Sequence, residues 1–149
     1  MEFQVSPTDE RFIGCENAVG GGEKLLTNGE IESGLPAGTA PRTALGIKAD
    51  GSIVMYVNDG RQTGYSVGLS LKDVAQRLKD LGCVEAINFD GGGSTAISTD
   101  YPGTGNLKII NRPSDGQPRK CANYLFLVNT TEPTSSADKL FLYPYDVLT

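Results

Sequence analysis

The chain contains no histidine. That absence removes Ser-His-Asp and Cys-His nucleophilic machinery and any imidazole-ligated zinc site. Acid–base chemistry is left to Asp, Glu, Tyr, Lys or water. A metal would have to be held by oxygen, which favours calcium or magnesium over zinc; no EF-hand-type spacing is present, so no cofactor is expected to be required beyond a structural ion of that kind. Cysteine is scarce: Cys15, Cys83 and Cys121 are far apart, odd in number and without a CxxC pair, so they form neither a zinc pattern nor a complete disulfide framework. All three lie in apolar segments and read as small buried hydrophobes. Tryptophan is absent and aromatics make up only 7% of residues. No apolar run approaches the roughly 20 residues of a membrane span. Met1-Glu2-Phe3 has neither the basic start nor the apolar core of a signal peptide. There is no long basic run, and a net charge of −5 argues against a nucleic-acid partner. Neither a phosphate-binding GxxxxGK[ST] nor a GxGxxG occurs, which argues against P-loop and Rossmann enzymes.

What remains is a chain of 149 residues with 19 glycines and 38% hydrophobic content. That length supports one domain with a real core, and the composition fits a loop-rich α/β or α+β protein. Residues 11–19 read as a strand. Lys24 to Ile31 reads as a hairpin around Asn28-Gly29, and Ser33 to Pro41 as a loop. Thr43–Ala49 and Ser52–Asn58 form a second predicted hairpin around Asp50-Gly51. Asn58 to Gly68 is polar and glycine-containing. One helix is predicted at about residues 70–81. Ser70 is its N-cap, Asp73 lies near its positive end, and Leu71, Val74, Ala75, Leu78 and Leu81 form its apolar stripe. Gly82 takes the C′ position. A strand from Val84 to Phe89 follows, so a β–α–β unit with a parallel crossover is expected. Ser94–Ser98 and Leu107–Asn111 are predicted short strands. Cys121–Val128, apolar at nearly every position, is predicted as a central strand covered on both faces. The expected fold class is α+β: a mixed β-sheet with hairpins, one amphipathic helix and long glycine-rich loops. Residues 1–129 are expected to form the domain. Residues 130–149 read as a linker followed by an extra strand or the start of a further segment.

The chemistry-bearing residues gather in loops beside strand ends. Asn88-Phe89-Asp90-Gly91-Gly92-Gly93-Ser94 presents an acid at the tip of a strand, followed by three glycines whose bare backbone can form an anion-binding nest. The alternative is an ordinary flexible turn. Arg42-Thr43 enters a strand, Asn58-Asp59-Gly60-Arg61 leaves one, and Asn111-Arg112-Pro113-Ser114-Asp115-Gly116 opens a loop. Together these supply three carboxylates, three guanidiniums and a glycine nest, a combination suited to an anionic, hydroxyl-rich ligand.

These blocks, in this order, resemble the phosphodiester glycosidase family, which includes N-acetylglucosamine-1-phosphodiester α-N-acetylglucosaminidase and bacterial envelope proteins. The resemblance is carried by Asn17-Ala18-Val19-Gly20-Gly21-Gly22, Leu25-Leu26, Asn28-Gly29, Pro41-Arg42-Thr43-Ala44-Leu45-Gly46, Asp59-Gly60-Arg61, Gly68-Leu69-Ser70-Leu71, Asn88 to Ser94, Asn111 to Gly116 and Ala122-Asn123. It spans about residues 11–128. The family's usual upstream block, Asn-(Ala/Gly)-Gly-(Phe/Tyr)-Phe, is not found. The chain is therefore expected to be the C-terminal part of the domain, with the N-terminal half of that domain as a partner. The resemblance implies hydrolysis of a sugar-1-phosphodiester to a sugar and a phosphomonoester, on a phosphorylated glycan or sugar-phosphodiester substrate. It also implies an extracellular, periplasmic or cell-envelope location. A phosphomonoester leaves more readily than a sugar alkoxide, so a strong general acid matters less and phosphate neutralisation matters more. Arg42, Arg61 and Arg112 are the candidates for that neutralisation, with Thr43, Gly91, Gly92, Gly93, Ser94, Asn111 and Ser114 lining the same site. Asp90 and Asp115 lead as nucleophile or as base toward water. Asp59 is a third candidate, its alternative role being to orient Arg61. The rival functional reading is a non-catalytic glycan-phosphate binding module, or an inactive fragment.

Overall fold

Asn28 and Gly29, at φ 51° and 78°, turn the chain through the left-handed region that Asn and Gly tolerate best. They join β1 (Lys24–Thr27) to β2 (Glu30–Ile31) as an antiparallel hairpin. The computed structural model describes residues 19–100, 106–121 and 124–128. A second hairpin follows. β3 (Arg42–Lys48) and β4 (Ile53–Asn58) pair in continuous register from Arg42↔Asn58 to Ile47↔Ile53, closed at Asp50-Gly51. The expected strand over residues 11–19 falls almost wholly outside the described residues, as do residues 130–149.

The helix is where its periodicity puts it. α1 (Leu71–Asp80) is N-capped by Ser70, whose hydroxyl accepts from the Asp73 amide while the Asp73 carboxylate accepts from the Ser70 amide. Each satisfies an amide that the helix start leaves without a partner. Leu71, Val74, Ala75 and Leu78 are fully buried against Leu25, Leu26, Ala44, Cys83 and Ala86 of the sheet. Burying each of the larger side chains contributes about 2 kcal/mol. Gly46 permits the close approach: a Cβ there would lie 2.5 Å from the Cys83 sulfur and 3.3 Å from Leu78.

β5 (Cys83–Asn88) follows the helix. The crossover does not produce the expected parallel neighbours. β5 pairs antiparallel with β1 on one side and β3 on the other, and the five-stranded sheet has the order β2-β1-β5-β3-β4. Among the described residues every ladder is antiparallel, so the sheet seen there is not mixed, although the class is α+β as expected. β4 and β5 do run in the same direction, but β3 lies between them. The β3–β4 hairpin leaves two free edges, and β5 docks on that of β3, where it also meets β1, while β4 stays at the end of the sheet.

Two further expectations need correction. Ser94–Ser98 is not a strand. Gly92–Ser94 form a single 3-10 turn, and β6 begins only at Ser98 (Ser98–Asp100), pairing with β7 (Leu107–Ile109) as a separate two-stranded sheet. The turn wins because Gly92 adopts φ 60° and its amide is tied to the Pro41 carbonyl at 2.9 Å. Among the described residues of 121–128, none forms a strand, and Tyr124 to Val128 are exposed. An apolar run records a preference for burial, but pairing also needs a free strand edge brought alongside it. Among the described residues, no helix is long and apolar enough to cross a membrane.

Candidate functional site

The sheet order decides which loops meet. β4 and β5 run in one direction, so both end at the same edge of the sheet, where β3 begins. Asp59–Arg61, Asp90–Ser94 and Arg42 are therefore brought to one end. The glycine loop is pinned to the start of β3 by two backbone bonds, Phe89 N–H to the Thr43 carbonyl at 2.8 Å and Gly92 N–H to the Pro41 carbonyl at 2.9 Å. Thr95 is buried just behind the loop, its hydroxyl 3.4 Å from that of Thr43.

Gly91, Gly92 and Ser94 have intramolecular acceptors for their amides: the Asp90 Oδ1, the Pro41 carbonyl and the Gly91 carbonyl, at 2.9, 2.9 and 3.1 Å. The glycines matter instead for the room they leave. A Cβ on Gly92 would lie 2.8 Å from Nη1 of Arg61, and one on Gly93 would lie 2.2 Å from Oδ2 of Asp115 and 2.3 Å from Nη2 of Arg119. Two guanidiniums and a carboxylate thus rest on two consecutive residues of one turn.

Asp59 has a different setting. Its carboxylate accepts from Asn111 Nδ2 at 2.9 Å, from the Arg112 amide at 2.9 and 3.1 Å, and from the Tyr65 hydroxyl at 3.0 Å. Asn111 in turn reaches the Thr95 carbonyl at 3.2 Å and accepts from the Ile97 amide at 2.9 Å. This network holds the Asn111-Arg112 turn against the Asp59–Gly68 loop. It places the Arg112 guanidinium over the Tyr65 ring, 4.9 Å from its centre, a cation–π contact. Asp59 is engaged with Asn111, Arg112 and Tyr65 rather than with Arg61.

The remaining candidates are distributed as follows. Asp90 is exposed at the lip of the loop and accepts from the Gly91 amide. Asp115 holds Arg119 through Nε and Nη2 at 3.2 and 2.7 Å, and Ser114 lies 3.5 Å from the other oxygen of Asp115. The Asp115 carboxylate, and Asp90 more distantly, hold the Arg119 guanidinium more firmly protonated than usual. Arg42 is not drawn into this group: its guanidinium donates to the Gly38 and Leu69 carbonyls at 2.6 and 3.3 Å and braces the loop ahead of β3. Arg119 joins the site although no motif in the sequence marks it. Its signal was its spacing, four residues after Asp115 in the same loop. Among the described residues, no group of three or more Asp, Glu, Cys or His side chains is placed to hold a metal ion.

An antiparallel sheet with one covering helix, and a cluster of Arg and Asp side chains over a glycine turn at one sheet end, describes an α+β domain with a polar loop site. The chain belongs to the phosphodiester glycosidase family, whose model matches residues 2–128. It is similar to the SPbeta prophage-derived uncharacterized protein YomE of Bacillus subtilis (strain 168), with 32% identity over 96 residues, covering 64% of this chain and 14% of that protein. Among solved structures, it resembles the zebrafish N-acetylglucosamine-1-phosphodiester α-N-acetylglucosaminidase catalytic domain, which is auto-inhibited by its pro-peptide. The TM-score is 0.54 at 26% identity, over 74% of this chain and 43% of that one. A hypothetical protein from Synechocystis matches with a TM-score of 0.55 at 27% identity, over 73% of this chain and 21% of that one. The chain therefore spans less than half the length of each of these relatives.

Proposed function

We propose that this chain supplies part of a site that hydrolyses a sugar-1-phosphodiester, releasing the sugar and a phosphomonoester. The observation that carries this reading is the meeting of Arg61, Asp115 and the Gly92–Gly93 turn beside the exposed Asp90, in a chain of the phosphodiester glycosidase family. Arg61 and Arg112 neutralise the phosphate by charge-assisted hydrogen bonds. Asp90 takes a proton from the attacking water as the water oxygen bonds to the anomeric carbon. The bond from that carbon to the phosphate oxygen breaks, and the phosphomonoester leaves with the electron pair. Asp90 is assigned the base because it stands open at the loop's lip, whereas Asp59 is committed to Asn111, Arg112 and Tyr65 and Asp115 faces the Arg119 guanidinium on the anion-binding side of the turn. Asp59 is a framework residue in this scheme. A substrate of this kind goes with a location outside the cytoplasm or in the cell envelope.

The test is turnover of α-N-acetylglucosamine-1-phosphodiesters by the full-length protein. Asp90→Asn is expected to keep the fold and lower kcat by about a hundredfold or more, the usual contribution of a general base. Near-normal kcat would overturn the assignment. Binding of the phosphodiester without turnover in the unmodified protein would identify the glycan-phosphate binding module instead.

A further inference from the structure

We propose that Arg119 is an anion-binding residue of this site, and that the Asp115 carboxylate holds the position which a phosphoryl oxygen of the ligand takes over. That the anion is a phosphate rests on the function proposed above; the exchange itself rests on the geometry of the pair. Both donors of Arg119, Nε and Nη2, converge on a single oxygen of Asp115, at 3.2 and 2.7 Å. The second oxygen of Asp115 lies toward the Ser114 hydroxyl instead. The guanidinium fork is thus only half used. A phosphoryl group, with two oxygens at the right spacing, completes it bidentately.

The pair is also open to exchange. Its two side chains are 52% and 42% exposed, and an ion pair so exposed is weakly held. Its surroundings favour an incoming anion of higher charge. Arg61 rests on Gly92 and Arg119 on Gly93, so two cations flank one turn. Beside Arg119 the same loop leaves an open surface depression lined by Asp115, Gln117, Pro118, Arg119 and Lys120. Lys120 adds a third cation at that opening. The opening leaves the pair accessible to a phosphoryl group arriving from solvent. The single carboxylate of Asp115 competes with such a ligand for Arg119 and delivers the guanidinium in a fixed place on the glycine turn.

The experiment is a titration of this chain with inorganic phosphate, followed by amide chemical shifts at residues 91–94 and 114–120. Arg119→Gln is expected to weaken binding at least fivefold, and Arg119→Lys to recover part of the loss. Asp115→Asn, which removes the competing charge, is expected to tighten binding severalfold. Failure of the unmodified chain to bind phosphate, or equal binding by Arg119→Gln, overturns the proposal. So does an Asp115→Asn variant that binds as weakly as Arg119→Gln. Turnover of sugar phosphodiesters by the full-length protein separates the two levels. Arg119-dependent phosphate binding without turnover refutes the proposed hydrolysis and leaves this assignment standing. Turnover with unchanged KM in Arg119→Gln refutes this assignment and leaves the hydrolysis standing.

Discussion

Gly91 and Gly93 are two positions apart, yet adding a methyl group has opposite meanings at the two. At Gly91 the new Cβ would lie 2.6 Å from the Pro41 carbonyl oxygen, a main-chain atom fixed by the Gly92–Pro41 bond. Gly91→Ala is therefore expected to destabilise the fold by about 1–3 kcal/mol, seen as a lower denaturation midpoint. At Gly93 the obstacles are the ends of Asp115 and Arg119, which swing away at little cost. Gly93→Ala is expected to melt within a few degrees of the parent but to lose affinity for phosphate, because the ion pair no longer rests on the turn. Equal stability losses in the two variants would show that the turn itself, not its occupants, is what the glycines serve. The candidate loops were legible in the sequence because Asp90–Ser94, Asp59–Arg61 and Asn111–Asp115 stand as short polar blocks between apolar runs. The partners of each side chain were not. Asp59 reads like any acid in an Asp-Gly turn until the Asn111-Arg112 backbone is seen to fold over it. Arg42 reads as a site cation, and nothing in its own sequence block announces that its guanidinium donates to two loop carbonyls.

At the scale of elements, the helix was the most readable part of the chain. Its stripe, cap and terminating glycine are all local signals, and α1 starts one residue after Ser70 as they require. The reciprocal cap also carries a pH dependence. The Ser70 hydroxyl, and then the Ser70 amide, hold the Asp73 carboxyl below its ordinary range. A carboxyl depressed in the folded state stabilises the fold fully above its unfolded pKa of about 4. That contribution disappears as pH falls through the lower folded value. Asp73→Asn should remove this acid-side loss of stability, compared by thermal melts from neutral pH down to about pH 3. Ser70→Ala should lower the melting temperature at neutral pH by about 5 °C. A pH profile unchanged by Asp73→Asn would mean that the cap is not formed in solution. Strand partnership was much less readable than the helix. Residues 121–128 carry the apolar composition of a central strand, but composition names no neighbour. The 94–98 segment looked extended because Thr95 and Ile97 favour strands, whereas the positive φ of Gly92 and the burial of Thr95 impose a turn.

Across the whole molecule, the Asp59 carboxylate is a junction between the loop after β4 and the turn that follows the small β6–β7 sheet, with the Gln62 side chain donating to the Arg112 carbonyl beside it at 2.8 Å. Asp59 receives Asn111, the Arg112 amide and Tyr65, and Asn111 ties back to Thr95 and Ile97. Asp59→Ala is expected to lower the opening free energy of residues 107–119 by roughly 3 kcal/mol, since hydrogen bonds to a charged acceptor are among the stronger ones. Native-state hydrogen exchange would show faster amides there, with β3 and β5 unchanged; uniform acceleration would place Asp59 in the global fold instead. The sheet order belongs to this scale as well. A strand, a helix and a strand in sequence invite a parallel pair, and nothing within those residues announces that β3 will stand between them.

That order also dictates when the molecule can assemble. β1–β2 and β3–β4 are local hairpins that close as soon as they are synthesised, but neither touches the other until β5 enters between β1 and β3. A nascent chain that stops short of Cys83 therefore carries two hairpins with unpaired inner edges, with α1 already made but Ala86 and Cys83 missing from the core it packs into. Such edges are ready templates for pairing between chains. The ladder from Lys24 to Ile87 is the slow, long-range step, and the last strand of the sheet to leave the ribosome is the one that makes it a single sheet.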